Sequence, residues 1–174
     1  VLEAIWQNKT MVAFFTLREF KIRYKQTLLG ALWAVLQPLI LMLIFTLLFS
    51  NVDSISTGDE SIPYSVFSYT GLLFWTLFAT GVSFASNSLI NNQSLITKTA
   101  LPRFVLVASN ILVGVIDFLI AFVLFIGLVL ITDAPISWAN LLWVPVLMLA
   151  TLLSAVAIAS FLSALNVQFR DVRY

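Results

Sequence analysis

Leu28-Leu29-Gly30-Ala31-Leu32-Trp33-Ala34-Val35-Leu36-Gln37-Pro38-Leu39-Ile40-Leu41-Met42-Leu43-Ile44-Phe45-Thr46-Leu47-Leu48-Phe49-Ser50 runs for 23 residues without a charged side chain. As a helix rising about 1.5 Å per residue it would be ~34 Å long, enough to cross a hydrocarbon core of about 30 Å. Outward from this run the pattern repeats. No charge occurs between Glu60 and Lys98, which predicts a second span over 66–90. A third, 105–131, lies between Arg103 and Asp133 and is interrupted only by Asp117. A fourth, 140–165, lies between Asp133 and Arg170. The runs are continuous and long, unlike the alternating segments of about ten residues that build a membrane β-barrel.

Composition agrees. Of 174 residues, 61% are hydrophobic and 10% charged, against about 25% charged in soluble domains. A domain of this size leaves about a third of its unfolded surface exposed, so the apolar excess needs lipid as solvent. The expected fold is an all-α integral membrane protein with its spans in contact with membrane lipids. There is no cysteine and no histidine, which excludes thiol nucleophiles, zinc–thiolate sites and imidazole bases. No Gly-x-x-x-x-Gly-Lys loop is present, so the chain has no phosphate cradle of its own. No metal, cofactor or nucleic acid is expected on it, and no catalytic motif is visible.

The connecting segments sort by sign. Lys9, Arg18, Lys21, Arg23 and Lys25 precede the first span, Lys98 and Arg103 separate the second from the third, and Arg170 and Arg173 follow the fourth. The two remaining loops hold Asp53, Asp59, Glu60 and Asp133 and no base. By the positive-inside rule the N-terminus, middle loop and C-terminus are cytoplasmic, in a multi-pass protein of the bacterial inner membrane.

Several features stand out on this scaffold. Residues 1–27 are too charged to span. On a helical wheel Ala13, Leu17, Phe20 and Tyr24 share an arc flanked by Arg18, Lys21 and Lys25, the pattern of an amphipathic interfacial helix. Gln37-Pro38 predicts a kink and an amide at membrane depth. Asp117, the one ionisable group inside a span, must be neutral, hydrogen-bonded or wet. With no second acid or base in the spans, an interhelical hydrogen bond is favoured over proton coupling. Thr151, Ala155, Ala159 and Ser163 recur every four residues, a row of small side chains that lets another helix approach closely. The middle loop from Asn91 to Arg103 is long enough for two or three helical turns ending near Leu101, before Pro102.

The run Leu17-Arg18-Glu19-Phe20-Lys21-Ile22-Arg23-Tyr24-Lys25-Gln26-Thr27-Leu28-Leu29-Gly30-Ala31-Leu32-Trp33, followed by Gln37-Pro38, resembles the start of the permease subunit of polysaccharide ABC exporters. These are type-2 ABC export permeases, which move O-antigen, capsule or teichoic acid chains. Leu95-Ile96-Thr97-Lys98 with Leu101-Pro102-Arg103-Phe104 is similar to that family's coupling-helix region, and Leu165 to Tyr174 to the segment after its fourth span. The resemblance implies a homodimer bound to two ATP-binding cassette ATPase subunits that hold ATP and Mg. ATP hydrolysis there would drive a lipid-linked polysaccharide outward across the inner membrane. It also implies six spans, so this chain, with four, is expected to lack the fifth and sixth.

On that resemblance, Ser94, Leu95, Ile96, Lys98 and Thr99 are expected to couple to the ATPase. Tyr24, Trp33, Gln37, Phe74, Trp75 and Phe78 are expected to form the substrate's way in and the conduit wall. The nearest alternative is a type-2 ABC permease for a drug or small lipid. A different class, a membrane-embedded enzyme acting on lipid-linked sugars, needs convergent polar residues that one intramembrane acid does not provide.

Overall fold

The computed structural model describes residues 8–25, 30–49, 62–98, 102–135 and 138–168. Leu28 at the expected start of the first span, the acids of 53–60, Thr99 and the closing segment 169–174 lie outside them. Among the described residues the chain is helical and has no strand. The elements are α1 Lys9–Lys25, a 3₁₀ turn Gly30–Leu32, α2 Trp33–Phe49, α3 Tyr64–Asn91, α4 Gln93–Lys98, α5 Arg103–Thr132, α6 Trp138–Leu141 and α7 Trp143–Gln168.

By length and composition, Tyr64–Asn91, Arg103–Thr132 and the stretch Ala139–Asn166 are long and apolar enough to cross a membrane. Of the first expected span, residues 30–49 are described. Its α-helix Trp33–Phe49 has 17 residues, about 26 Å, and the 3₁₀ turn before it adds ~6 Å. Gly30 opens that turn at φ +52°, in the left-handed region that glycine tolerates best. This departure from α geometry is why the α-helix begins only at Trp33.

The other boundaries have local causes. Pro63 and Pro102 stand immediately before α3 and α5 with extended ψ values of 139° and 121°, where a missing N–H costs nothing. Asp133 ends α5 in the left-handed conformation, with φ 47°.

Contacts between the helices give their directions. Tyr69 Oη donates to the Ala121 carbonyl at 3.1 Å, the Phe74 and Phe118 rings lie 5.4 Å apart, and Ala85 packs with Ile111. Rising numbers on α3 thus meet falling numbers on α5, and the two helices are antiparallel. A Cβ at Gly81 would lie 3.7 Å from the Ala155 Cβ, and Asn166 Nδ2 donates to the Ser86 carbonyl at 3.1 Å. α3 and α7 therefore run parallel, as the second and fourth members of an alternating bundle must.

The core is a band of Met42, Val66, Tyr69, Leu73, Leu77, Phe118, Ala121 and Phe125. On α3 the buried positions Val66, Tyr69, Leu73, Leu77, Gly81, Ala85 and Ser88 follow a spacing of three or four. One stripe of α3 thus serves both neighbours, large near its start and small near its end. The small end receives the expected row on α7, of which Ala155, Ala159 and Ser163 are buried. Val144, Met148 and Leu152 of α7 pack against the core, while Leu149, Leu153 and Phe161 point outward. In lipid there is little hydrophobic gain in hiding them, so close packing of small residues and polar bonds decides which face docks.

Tyr69 is fully buried. Tyr69→Phe is expected to keep the fold and cost about 1 kcal/mol, the net worth of one hydrogen bond. Thermal unfolding in detergent measures it, and an unchanged melting temperature would remove the bond from the account.

Candidate functional site

Lys98 and Arg103, on α4 and at the start of α5, mark one end of the bundle, where Arg18 of α1 meets Asn92, while Arg23 reaches farther along α5. The opposite end brings together Phe45, Tyr64, Phe125, Asn140 and Val144, which line an apolar cleft of about 710 Å³. Since the ends of α2 and α5 and the starts of α3 and α7 share this cleft, all four helices alternate in direction. Among the described residues, Lys98 and Arg103 thus lie at the end of the bundle opposite Asp133.

At the basic end α3 passes into α4 through Asn92. Its backbone N–H donates to the Ser88 carbonyl, and its own carbonyl accepts from Leu95 and Ile96. Its Nδ2 donates to the Ser88 carbonyl at 3.0 Å, and its Oδ1 accepts from Arg18 Nη1 at 3.0 Å. One residue thus closes α3, opens α4 and takes a bond from α1. α4 has six described residues, under two turns, and the expected end near Leu101 lies outside the described residues. Ser94, Thr97 and Lys98 are exposed on it, while Leu95 and Ile96 are half-buried.

α1 packs along α5 with a face other than the one its sequence suggests. Val12 and Thr16 are buried and Arg23 is largely so, whereas Ala13 and Leu17 are exposed and Phe20 and Tyr24 half-buried. The reason lies in α5. Asp117, midway along it, accepts from Arg23 Nη1 on Oδ2 at 2.6 Å and from Tyr24 Oη on Oδ1 at 2.6 Å. The Arg23 guanidinium also lies 3.9 Å from the centre of the Phe84 ring on α3, within cation–π range. The side chains of Arg23 and Asp117 are only 15% and 13% exposed. Asp117 therefore has the interhelical hydrogen bonds expected of it. Its basic partner was absent from the spans because it comes from α1, 94 residues away in sequence.

Burial pushes the Tyr24 phenol well above its ordinary range, and its bond to Asp117 adds to the shift. It remains a protonated donor. A raised folded value favours the fold below the unfolded value of about 10 and loses that contribution as pH climbs beyond it. Around neutral pH the Tyr24–Asp117 bond is therefore insensitive to pH through tyrosine.

The expected conduit residues occupy two rows. Trp33 and Gln37, one turn apart on α2, are exposed, while Pro38 beside them is buried. On α3 Trp75 is 62% exposed and packs against Phe78 with ring centres 6.1 Å apart, whereas Phe74 turns inward onto Phe118. Tyr24 stands apart from both rows in its bond to Asp117. Among the described residues no cluster of three or more His, Cys, Asp or Glu side chains is placed to hold a metal.

Sequence reading missed Arg18, Arg23, Phe84 and Asn92. Asp117, a buried acid that required a partner, was the one signal for Arg23, and nothing in the sequence pointed to the Arg18–Asn92 bond.

The sequence profile of the family described as "ABC-2 type transporter" matches residues 11–173. The O-antigen export system permease protein RfbA of Myxococcus xanthus is 30% identical over 175 residues, which cover 100% of this chain and 65% of the relative. The protein of the same name from Klebsiella pneumoniae is 28% identical over 162 residues, 93% of this chain and 61% of the relative. The chain thus spans less than two thirds of the length of these relatives. No solved structure matches it significantly. An alternating bundle of apolar helices with charge gathered at its ends, matched by that profile over almost its whole length, belongs to the ABC-2 type transporter family of membrane proteins.

Proposed function

We propose that the chain is the transmembrane subunit of an ABC transporter that exports a lipid-linked polysaccharide across the bacterial inner membrane. The observation that carries this reading is similarity along the whole chain to a relative named as an O-antigen export permease. In this reading the basic end of the bundle faces the cytoplasm by the positive-inside rule. A second copy completes the passage, and ATP with Mg is hydrolysed on a partner ATP-binding cassette subunit. α4 supports the assignment, because it is a short exposed helix at the basic end whose root is fixed to α3 and α1. Ser94, Leu95, Ile96, Lys98 and Thr99 are the residues that meet the ATPase. Tyr24, Trp33, Gln37, Phe74, Trp75 and Phe78 serve the passage, their aromatic rings offering faces on which sugars stack.

Affinity purification of the full-length protein in mild detergent tests the assembly. A stoichiometric P-loop ATPase is the expected companion, and its absence under crosslinking would break the reading. Loss of surface polysaccharide on deletion of the permease tests the cargo, while export of a drug or short lipid in its place would reassign it. Charge reversal at the exposed Lys98, Lys98→Glu, is expected to lower transport-linked ATPase about tenfold at unchanged expression, as for a rim contact whose sign now repels its partner. Full activity in a stably assembled variant would remove α4 from the interface.

A further inference from the structure

The seam between α3 and α7 changes along its length. A Cβ at Gly81 would lie 3.7 Å from that of Ala155, whereas a Cβ at Gly71, earlier on α3, would meet nothing within 4 Å. Gly71 faces the apolar cleft of about 710 Å³, together with Phe67 and Phe74 of α3, Phe125 of α5, and Val144 and Leu147 of α7. Along α3 the cleft reaches from Tyr64, the first residue of the helix, to Phe74. That stretch of helix is about 15 Å long, half of a hydrocarbon core of about 30 Å. Its depth is that of one leaflet. The hydroxyls of the α3 wall are already satisfied: Ser68 Oγ donates to the Ser65 carbonyl at 3.2 Å and Thr70 Oγ1 to the Val66 carbonyl at 2.8 Å. The other polar groups of the lining, on Tyr64 and Asn140, belong to the start of α3 and to α6, at the mouth.

We propose that this cleft binds one acyl chain of a phosphatidylethanolamine molecule, with the headgroup at Tyr64 and Asn140. The inference goes beyond cargo and ATPase and needs only that the bundle lies in a membrane. Polarity, size and charge choose the occupant. A deep wall with no free donor suits a hydrocarbon tail and gives a sugar or a peptide backbone nothing to bond. The volume falls within the range of about 300 to 1,000 Å³ typical of sites that enclose a small ligand. Charge selects the headgroup. Asp133 ends α5 immediately before Ala134 and Pro135 of the lining, and Glu60 stands shortly before Ile62 of the lining in sequence. No Lys or Arg occurs from 26 to 97 or from 104 to 169, so the segments that form the mouth carry acids and no base. An anionic headgroup would meet like charge there, whereas the ammonium of ethanolamine meets carboxylates. The tail completes the packing where α3 and α7 part, a role that protein atoms fill at Gly81 and Ala155.

The test uses the full-length permease purified in mild detergent, with native mass spectrometry to weigh the lipid it retains. The expected result is a single phosphatidylethanolamine on each copy. Delipidated protein offered an equal mixture with phosphatidylglycerol is expected to prefer phosphatidylethanolamine about fivefold, the scale of one charge near a membrane surface. Gly71→Trp, which enters open space, is expected to cut retention about tenfold, as displacing even two methylenes from the cleft would. Its elution and melting temperature should match wild type, and Gly71→Ala should keep the lipid. A benzophenone maleimide on Gly71→Cys, in a segment with no cysteine of its own, is expected to couple to lipid on illumination. Wild-type protein without bound phospholipid would overturn the proposal. So would equal retention by Gly71→Trp, or no preference over phosphatidylglycerol. A benzophenone adduct with the rest of the chain or with a second copy would also overturn it, because protein would then fill the cleft. If Gly71→Trp fails to assemble, Leu147→Trp, on the α7 wall, decides in its place.

Discussion

Asp117→Ala is expected to be the most damaging single substitution in the bundle, lowering stability by about 3 to 5 kcal/mol, the usual cost of removing one partner from a buried ion pair. Two losses combine. The Arg23 guanidinium, with its side chain 15% exposed, keeps its charge and loses its counter-ion. Tyr24 Oη loses the acceptor it reaches at 2.6 Å. The Phe84 ring, 3.9 Å from the guanidinium, is a poor substitute, since a cation–π contact contributes about 2 kcal/mol at best. Thermal unfolding in detergent and protease sensitivity at Lys21 and Lys25, exposed on α1, measure the effect. A melting temperature within a few degrees of wild type, with α1 still protected, would mean that Arg23 finds water or lipid phosphate at no cost. Removing the cation as well, in Arg23→Met with Asp117→Ala, is expected to recover much of the loss, because a buried pair is worth far less than the damage done by breaking it.

The second large effect is expected at the seam between α3 and α7. Ala159 is fully buried against Ala85 and Ile111, and a Cβ at Gly81 would already stand 3.7 Å from that of Ala155. Ala159→Leu places three extra carbons where two backbones are in close approach. Overpacking of this kind costs about 1 to 3 kcal/mol in a core that can adjust. Here adjustment means moving α7 away, which also endangers the Asn166 bond to the Ser86 carbonyl at 3.1 Å. The rest of the α7 seam is apolar, with Val144, Met148, Leu152 and Val156 packed against the core. A cysteine pair at Gly81 and Ala155 should therefore crosslink readily in the wild-type background and poorly with Ala159→Leu. Equal crosslinking would show that the seam tolerates bulk. Phe161→Ala, on the exposed face of the same helix, is expected to leave the crosslink intact.

The two predictions draw on different amounts of sequence information. The row Thr151, Ala155, Ala159 and Ser163 was legible as a packing face from its four-residue period, and three of its members are buried on α3. The partner side was not legible, because Gly81 and Ala85 are spread through a helix whose other buried positions are large. Asp117 was legible as a residue in need of a partner, but Arg23 was not legible as that partner. In sequence Arg23 belongs to a run of bases whose evident role is to hold topology. The wheel of α1 was misleading for the same reason. Its apolar arc through Ala13 and Leu17 is not the face that packs, since a polar anchor at Arg23 turned the helix toward Val12 and Thr16.

The sequence by itself determined the class, the number of apolar runs, their alternation and the gathering of charge at one end. Each of these follows from the cost of placing backbone and charge in hydrocarbon, a cost that every residue meets locally. Only the tertiary structure decided which face of α1 is buried, that Asn92 joins three helices, and that Asp117 is bound by Arg23 and Tyr24. Those facts depend on pairs of residues 74 to 94 positions apart. No local preference reports such a pair, because its energy arises only once packing has brought the two groups together and removed the water between them.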